Sequence, residues 1–92
     1  MRIVGYLETA EIKTTVFRHD EKFMVKFETT LFEQTFKFRA SEKVNTFKDI
    51  EALVDKQFVE EVKERFNEMY ESSNSLLGRF LDDHEEDWEE II

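Results

Sequence analysis

The stretch Thr46–Phe80, TFKDIEALVDKQFVEEVKERFNEMYESSNSLLGRF, decides how the chain folds. Val59, Val62, Phe66, Met69, Leu76 and Phe80 fall at alternating steps of three and four once Ser73 is counted as a position. That spacing puts them on one face of a helix. Phe58, Tyr70 and Leu77 lie beside this seam and widen it, which suits packing on a sheet better than a narrow two-stranded coiled coil. Upstream, Phe47, Ile50, Leu53 and Val54 form a shorter apolar face.

The helix start is marked. The Thr46 hydroxyl can accept from free backbone N–H groups, with Asn45 as the competing cap, and Asp49 and Glu51 sit near the positive end of the dipole. Asp55 offers a cap for a second helix if the chain turns there. Ser72-Ser73-Asn74-Ser75 is the weakest helical run, because such side chains compete for backbone hydrogen bonds. A kink or break is expected there, then a shorter helix to about Asp83, weakened by Gly78 by roughly 1 kcal/mol relative to Ala. Glu60, Glu64, Glu68 and Glu71 line the opposite side as a solvated face, with no His one turn away to make a metal pair.

Upstream of the helices the period changes from 3.6 to 2. Residues 3–8 (IVGYLE), 11–18 (EIKTTVFR), 23–29 (FMVKFET) and 31–39 (LFEQTFKFR) read as strands. Thr9 and Ala10 make a weak turn, and His19-Asp20-Glu21-Lys22 a polar loop. That loop sets Val16 opposite Val25 and Thr14 opposite Phe27, and on the other face Lys13 opposite Glu28. A slip of one residue would turn large apolar side chains to water. Phe32, Phe36 and Phe38 share a face of the last strand with Gln34. The expected fold is α+β: an antiparallel meander of three to four strands, about 3–39, followed by one long or two shorter helices, about 46–83, packed on one sheet face. Residues 1–83 are expected to form a single domain and 84–92 an acidic C-terminal tail.

The composition limits what such a domain can do. Ninety-two residues support one core, here given bulk by ten Phe, and a chain this short often gains stability by pairing. There is no cysteine, hence no disulfide, thiolate metal site or Cys nucleophile. The N-terminal apolar run is too short for a signal peptide and nothing approaches a membrane span, so a cytoplasmic location without membrane contact is expected. The net charge of −9 divides unevenly. Residues 1–48 carry nine Lys/Arg against seven Asp/Glu, and residues 49–92 four against fifteen. That balance argues against nucleic acid on the helices.

The end of the chain, Asp82 to Ile92, is acidic at seven of eleven positions, yet holds the only Trp and ends on two Ile. As a helix it would gather Trp88, Ile91 and Ile92 on one side, joined by His84, a pattern that can dock into an apolar groove with a basic rim. Alternatively it is a solubilising tail. The open sheet face, with Lys13, Lys26, Lys37 and Arg39 around Phe17 and Met24, is complementary to it in charge.

Little points to catalysis. His84-Glu85 lacks the second His of a zinc-protease helix, and Gly5 and Gly78 are isolated, so no phosphate-cradling loop exists. The serines at 72–75 sit in no nucleophile elbow. No enzyme activity, cofactor or metal is expected. The leading expectation is an interaction module that binds another protein or itself, as a possible homodimer. Its candidate contacts are Phe66, Met69 and Phe80 on the helix and Trp88, Ile91 and Ile92 in the tail. Two alternatives come from other classes. One is a nucleic-acid mimic whose carboxylates occupy a DNA-binding protein. The other is single-strand binding on the open sheet face by Phe17, Lys26, Lys37 and Arg39.

Overall fold

The computed structural model describes residues 1–9 and 12–83. Four strands, β1 (Arg2–Thr9), β2 (Ile12–His19), β3 (Lys22–Glu28) and β4 (Glu33–Arg39), form one antiparallel sheet in the order β1-β2-β3-β4. Two helices follow, α1 (Phe47–Leu53) and α2 (Lys56–Asp83). The protein is an α+β meander followed by a long C-terminal helix. Met1–Val62 makes one compact unit, which includes the first two turns of α2, and a second begins at Lys63.

The register follows from the alternation of apolar residues. Val16 lies across from Val25, Thr14 from Phe27 and Lys13 from Glu28, the last pair 3.9 Å apart. The loop between β2 and β3 is shorter than the sequence suggests: His19 pairs with Lys22, leaving Asp20 and Glu21 as the turn. Asp20 takes the left-handed conformation that such a tight turn requires (φ 54°), which Asp tolerates better than most residues. The β4 strand starts later than expected, at Glu33. Phe32 is instead held in the preceding turn, where Thr29 N donates to its carbonyl at 2.8 Å and its own N–H reaches Thr29 Oγ1 at 3.2 Å. The threonine hydroxyl thus supplies a turn that carries no Gly, Asn or Asp.

One face of the sheet is covered within the first unit. Val16, Val25, Phe27, Ile50 and Val62 are fully buried, each such side chain contributing about 1.5–3 kcal/mol. Phe27, Phe36 and Phe58 form an edge-to-face cluster, with ring centroids 5.9 Å apart for Phe27–Phe36 and Phe27–Phe58 and 4.9 Å for Phe36–Phe58. The amide of Gln34 donates to the Val62 carbonyl at 3.0 Å, tying β4 to the second turn of α2, while its Oε1 is buried without a hydrogen-bond partner. Arg18 closes the end of this face, its guanidinium 4.6 Å over the Phe23 ring. A bulge between Ile3 and Gly5 bends β1, and Gly5 then lies so close to Phe47 that a Cβ on it would stand 2.5 Å from the ring.

Both helix starts use their expected caps. Thr46 caps α1 in a reciprocal box with Asp49, and Phe58 N donates to Asp55 Oδ1 at 2.8 Å at the start of α2. The N–H groups of Asn45 and Thr46 donate to Asp49 Oδ2 at 2.9 and 3.0 Å, which holds that carboxyl below the ordinary aspartate value. A folded-state pKa below the unfolded one stabilises at every pH above the unfolded value and is lost as pH falls through the folded one. The stability gap between the parent and Asp49→Asn, measured by denaturant melts from about pH 6 to about pH 2, is therefore expected to narrow with acid. A gap that does not change with pH would contradict the capping account.

The expected interruption at Ser72–Ser75 is absent. The α2 helix runs unbroken through all four residues and past Gly78 to Asp83. Propensity differences of a few tenths of a kcal/mol per residue are a weak prior, and 28 residues in one helix spread the cost of nucleation over many bonds. The side chains join the helix surface, with Arg79 Nη1 donating to Ser75 Oγ at 2.8 Å.

Candidate functional site

The candidate contact residues of α2 share one face. At 100° per residue, Val62, Phe66, Met69, Ser73 and Phe80 lie within about 60° of one another, and Tyr70, Leu76 and Leu77 extend the stripe on either side. The stripe changes character along its length. Val62 and Phe66 are buried, at 0% and 7% exposure, and Met69 and Ser73 are half-buried. Tyr70, Leu76, Leu77 and Phe80 are 54%, 59%, 49% and 41% exposed. Four large apolar side chains on three turns of one helix thus face water. Scattered exposed apolar residues are ordinary on a soluble protein, whereas a contiguous patch marks a contact surface.

Of the residues singled out in sequence, Phe66, Met69 and Phe80 therefore stand on one stripe at three depths. Trp88, Ile91 and Ile92 lie outside the described residues, as does His84. Leu76, Leu77 and Tyr70, which periodicity places in or beside the seam, are the most exposed apolar side chains of α2 by fraction.

The back of α2 has different chemistry. Glu68, Glu71, Ser72, Ser75 and Arg79 line a shallow hollow in which Arg79 is the one cation. A second hollow, lined by Tyr6, Leu7, Glu8, Glu51 and Val54, follows the β1 edge beside α1. Neither brings a nucleophile, a general base and an oxyanion donor together. Among the described residues no three His, Cys, Asp or Glu side chains are grouped as metal ligands would be.

The open sheet face has two ends. At one, Lys13 pairs with Glu28 and Lys26 with Glu33, at 3.9 and 3.2 Å. At the other, Lys37 and Arg39 are exposed, across from Met24 and Lys22 in the register. The middle is closed: Thr15 and Met24 are buried at 3% and 9%. Phe17 is half-buried and Tyr6 60% exposed. Two of the four cations named for nucleic-acid contact are thus already matched by carboxylates.

No protein-family model, curated protein or solved structure matches the chain. Among the described residues, no helix is long and apolar enough to cross a membrane.

Proposed function

We propose that the protein is a small interaction module that binds a protein partner through the apolar stripe on the C-terminal half of α2, without catalysis. The observation that carries this reading is the exposure of Tyr70, Leu76, Leu77 and Phe80 on consecutive turns of one face. Rigid aromatic and aliphatic anchors on a helix are the usual hot spots of helix-in-groove recognition. Trp88, Ile91 and Ile92 follow in the sequence and are candidates for the same contact. The carboxylates already beside Lys13 and Lys26 favour protein over nucleic acid as the partner class.

The double substitution Leu76→Glu/Leu77→Glu tests this. Glu is as good a helix former as Leu, and exposed substitutions shift stability by only about 0.5 kcal/mol, so the thermal melt is expected to stay close to the parent's. Association, read as solution mass and as retention of any partner held by the parent chain, is expected to be lost. Equal association by parent and variant would overturn the reading.

A further inference from the structure

We infer that the exposed stripe of α2 binds a second copy of this chain, helix against helix and antiparallel, centred near Ser75. This rests on the interaction reading above and names its partner.

The stripe is its own complement when reversed. A two-fold contact uses the same patch twice, so each residue must meet a suitable one when the order is inverted. Inverting α2 about Ser75 sets Met69 against Leu81 of the second copy, Tyr70 against Phe80 and Ser73 against Leu77. Large side chains meet large ones at both ends. At the centre the small Ser73 gives Leu77 room to enter, as a knob enters a hole.

Charge fixes the direction. Asp82 to Glu90 holds seven acidic residues and no Lys or Arg. A parallel pair would bring the two Asp82 positions side by side. Antiparallel pairing sets them about 21 Å apart along the axis, well beyond a Debye length of about 8 Å. The contact from Met69 to Leu81 spans 13 residues, about 18 Å of helix. That is short for a permanent interface, so the pair is reversible and its mass depends on concentration.

The absence of cysteine makes the direction readable. Purified chain is run by light scattering over a concentration series. Full-length Ser73→Cys and Leu77→Cys variants are then oxidised separately and as a mixture. The expected result is a mass that climbs from one copy towards two, and a disulfide that joins Ser73→Cys to Leu77→Cys in the mixture in excess over either self-linked product. Preferential self-linking of Ser73→Cys would mean a parallel pair or an antiparallel one centred elsewhere, and would overturn the inference. A chain that stays monomeric at every concentration also overturns it. The interaction reading survives that outcome if the Leu76→Glu/Leu77→Glu variant loses a partner that the parent retains. A dimer that the double Glu variant forms equally well overturns both.

Discussion

Replacing Phe27 by alanine is expected to cost about 3–5 kcal/mol, the largest loss from any single truncation in the sheet. Phe27 has no exposed surface and its ring is the shared edge of the contacts with Phe36 and Phe58. Deleting it removes the buried area and leaves a void lined by rings whose backbones sit on a strand and a helix, and which cannot all move inward. A domain of 92 residues has a total stability of about 5–14 kcal/mol, so the variant should be poorly folded at physiological temperature. Urea melts of Phe27→Ala and Phe27→Leu check this, the leucine variant keeping most of the stability because it keeps most of the volume. A loss under about 1 kcal/mol for Phe27→Ala would put the centre of the core elsewhere.

Gly5→Ala is the second large effect, and a single methyl group causes it. The added Cβ would stand 2.5 Å from Phe47 Cε2 and 2.7 Å from Cζ, distances at which the ring must leave its place over β1. Overpacking of this kind costs about 1–3 kcal/mol. The decisive measurement is a double-mutant cycle. In a Phe47→Ala background the ring is gone, and Gly5→Ala should become nearly neutral, a coupling of about 1 kcal/mol or more. If Gly5→Ala costs the same in both backgrounds, the close approach of ring and backbone is not the reason for glycine at this position.

These two sites differ in how far the sequence announces them. Phe27 is legible from alternation alone, since Phe23, Val25 and Phe27 recur every second residue and meet Val16 and Thr14 across a hairpin whose register allows no slip. The caps are legible for the same local reason: Thr46 with Asp49, and Asp55, satisfy their own helix starts within four residues. Gly5 is not legible, because the Phe47 ring that requires it lies 42 positions away in sequence and comes near only once α1 crosses β1. The continuity of α2 through Ser72–Ser75 was hidden by a propensity argument too weak to decide against a long helix. The start of β4 was hidden by a turn built from a threonine hydroxyl.

For the candidate surface, periodicity placed the stripe but not its exposure. A helix of 28 residues is about 42 Å long. Nothing in the spacing of Val62, Phe66, Met69, Leu76 and Phe80 says where burial ends. The structure places the change between Phe66, 7% exposed, and Tyr70, 54% exposed.

The sequential strand order has a consequence for synthesis. Every strand pairs only with the one made just before or after it, so each hairpin can close locally and fast, without waiting for distant chain. The cover arrives later. The 23 positions from Ala40 to Val62 take about 1–5 s to add at ordinary elongation rates of about 5–20 residues per second, whereas a hairpin closes in about 1–10 μs. For those seconds a nascent sheet would hold Phe23, Phe27 and Phe36 against water on one side. The aromatic face that anchors the finished core is thus also the surface on which a growing chain is most open to chaperones and to aggregation.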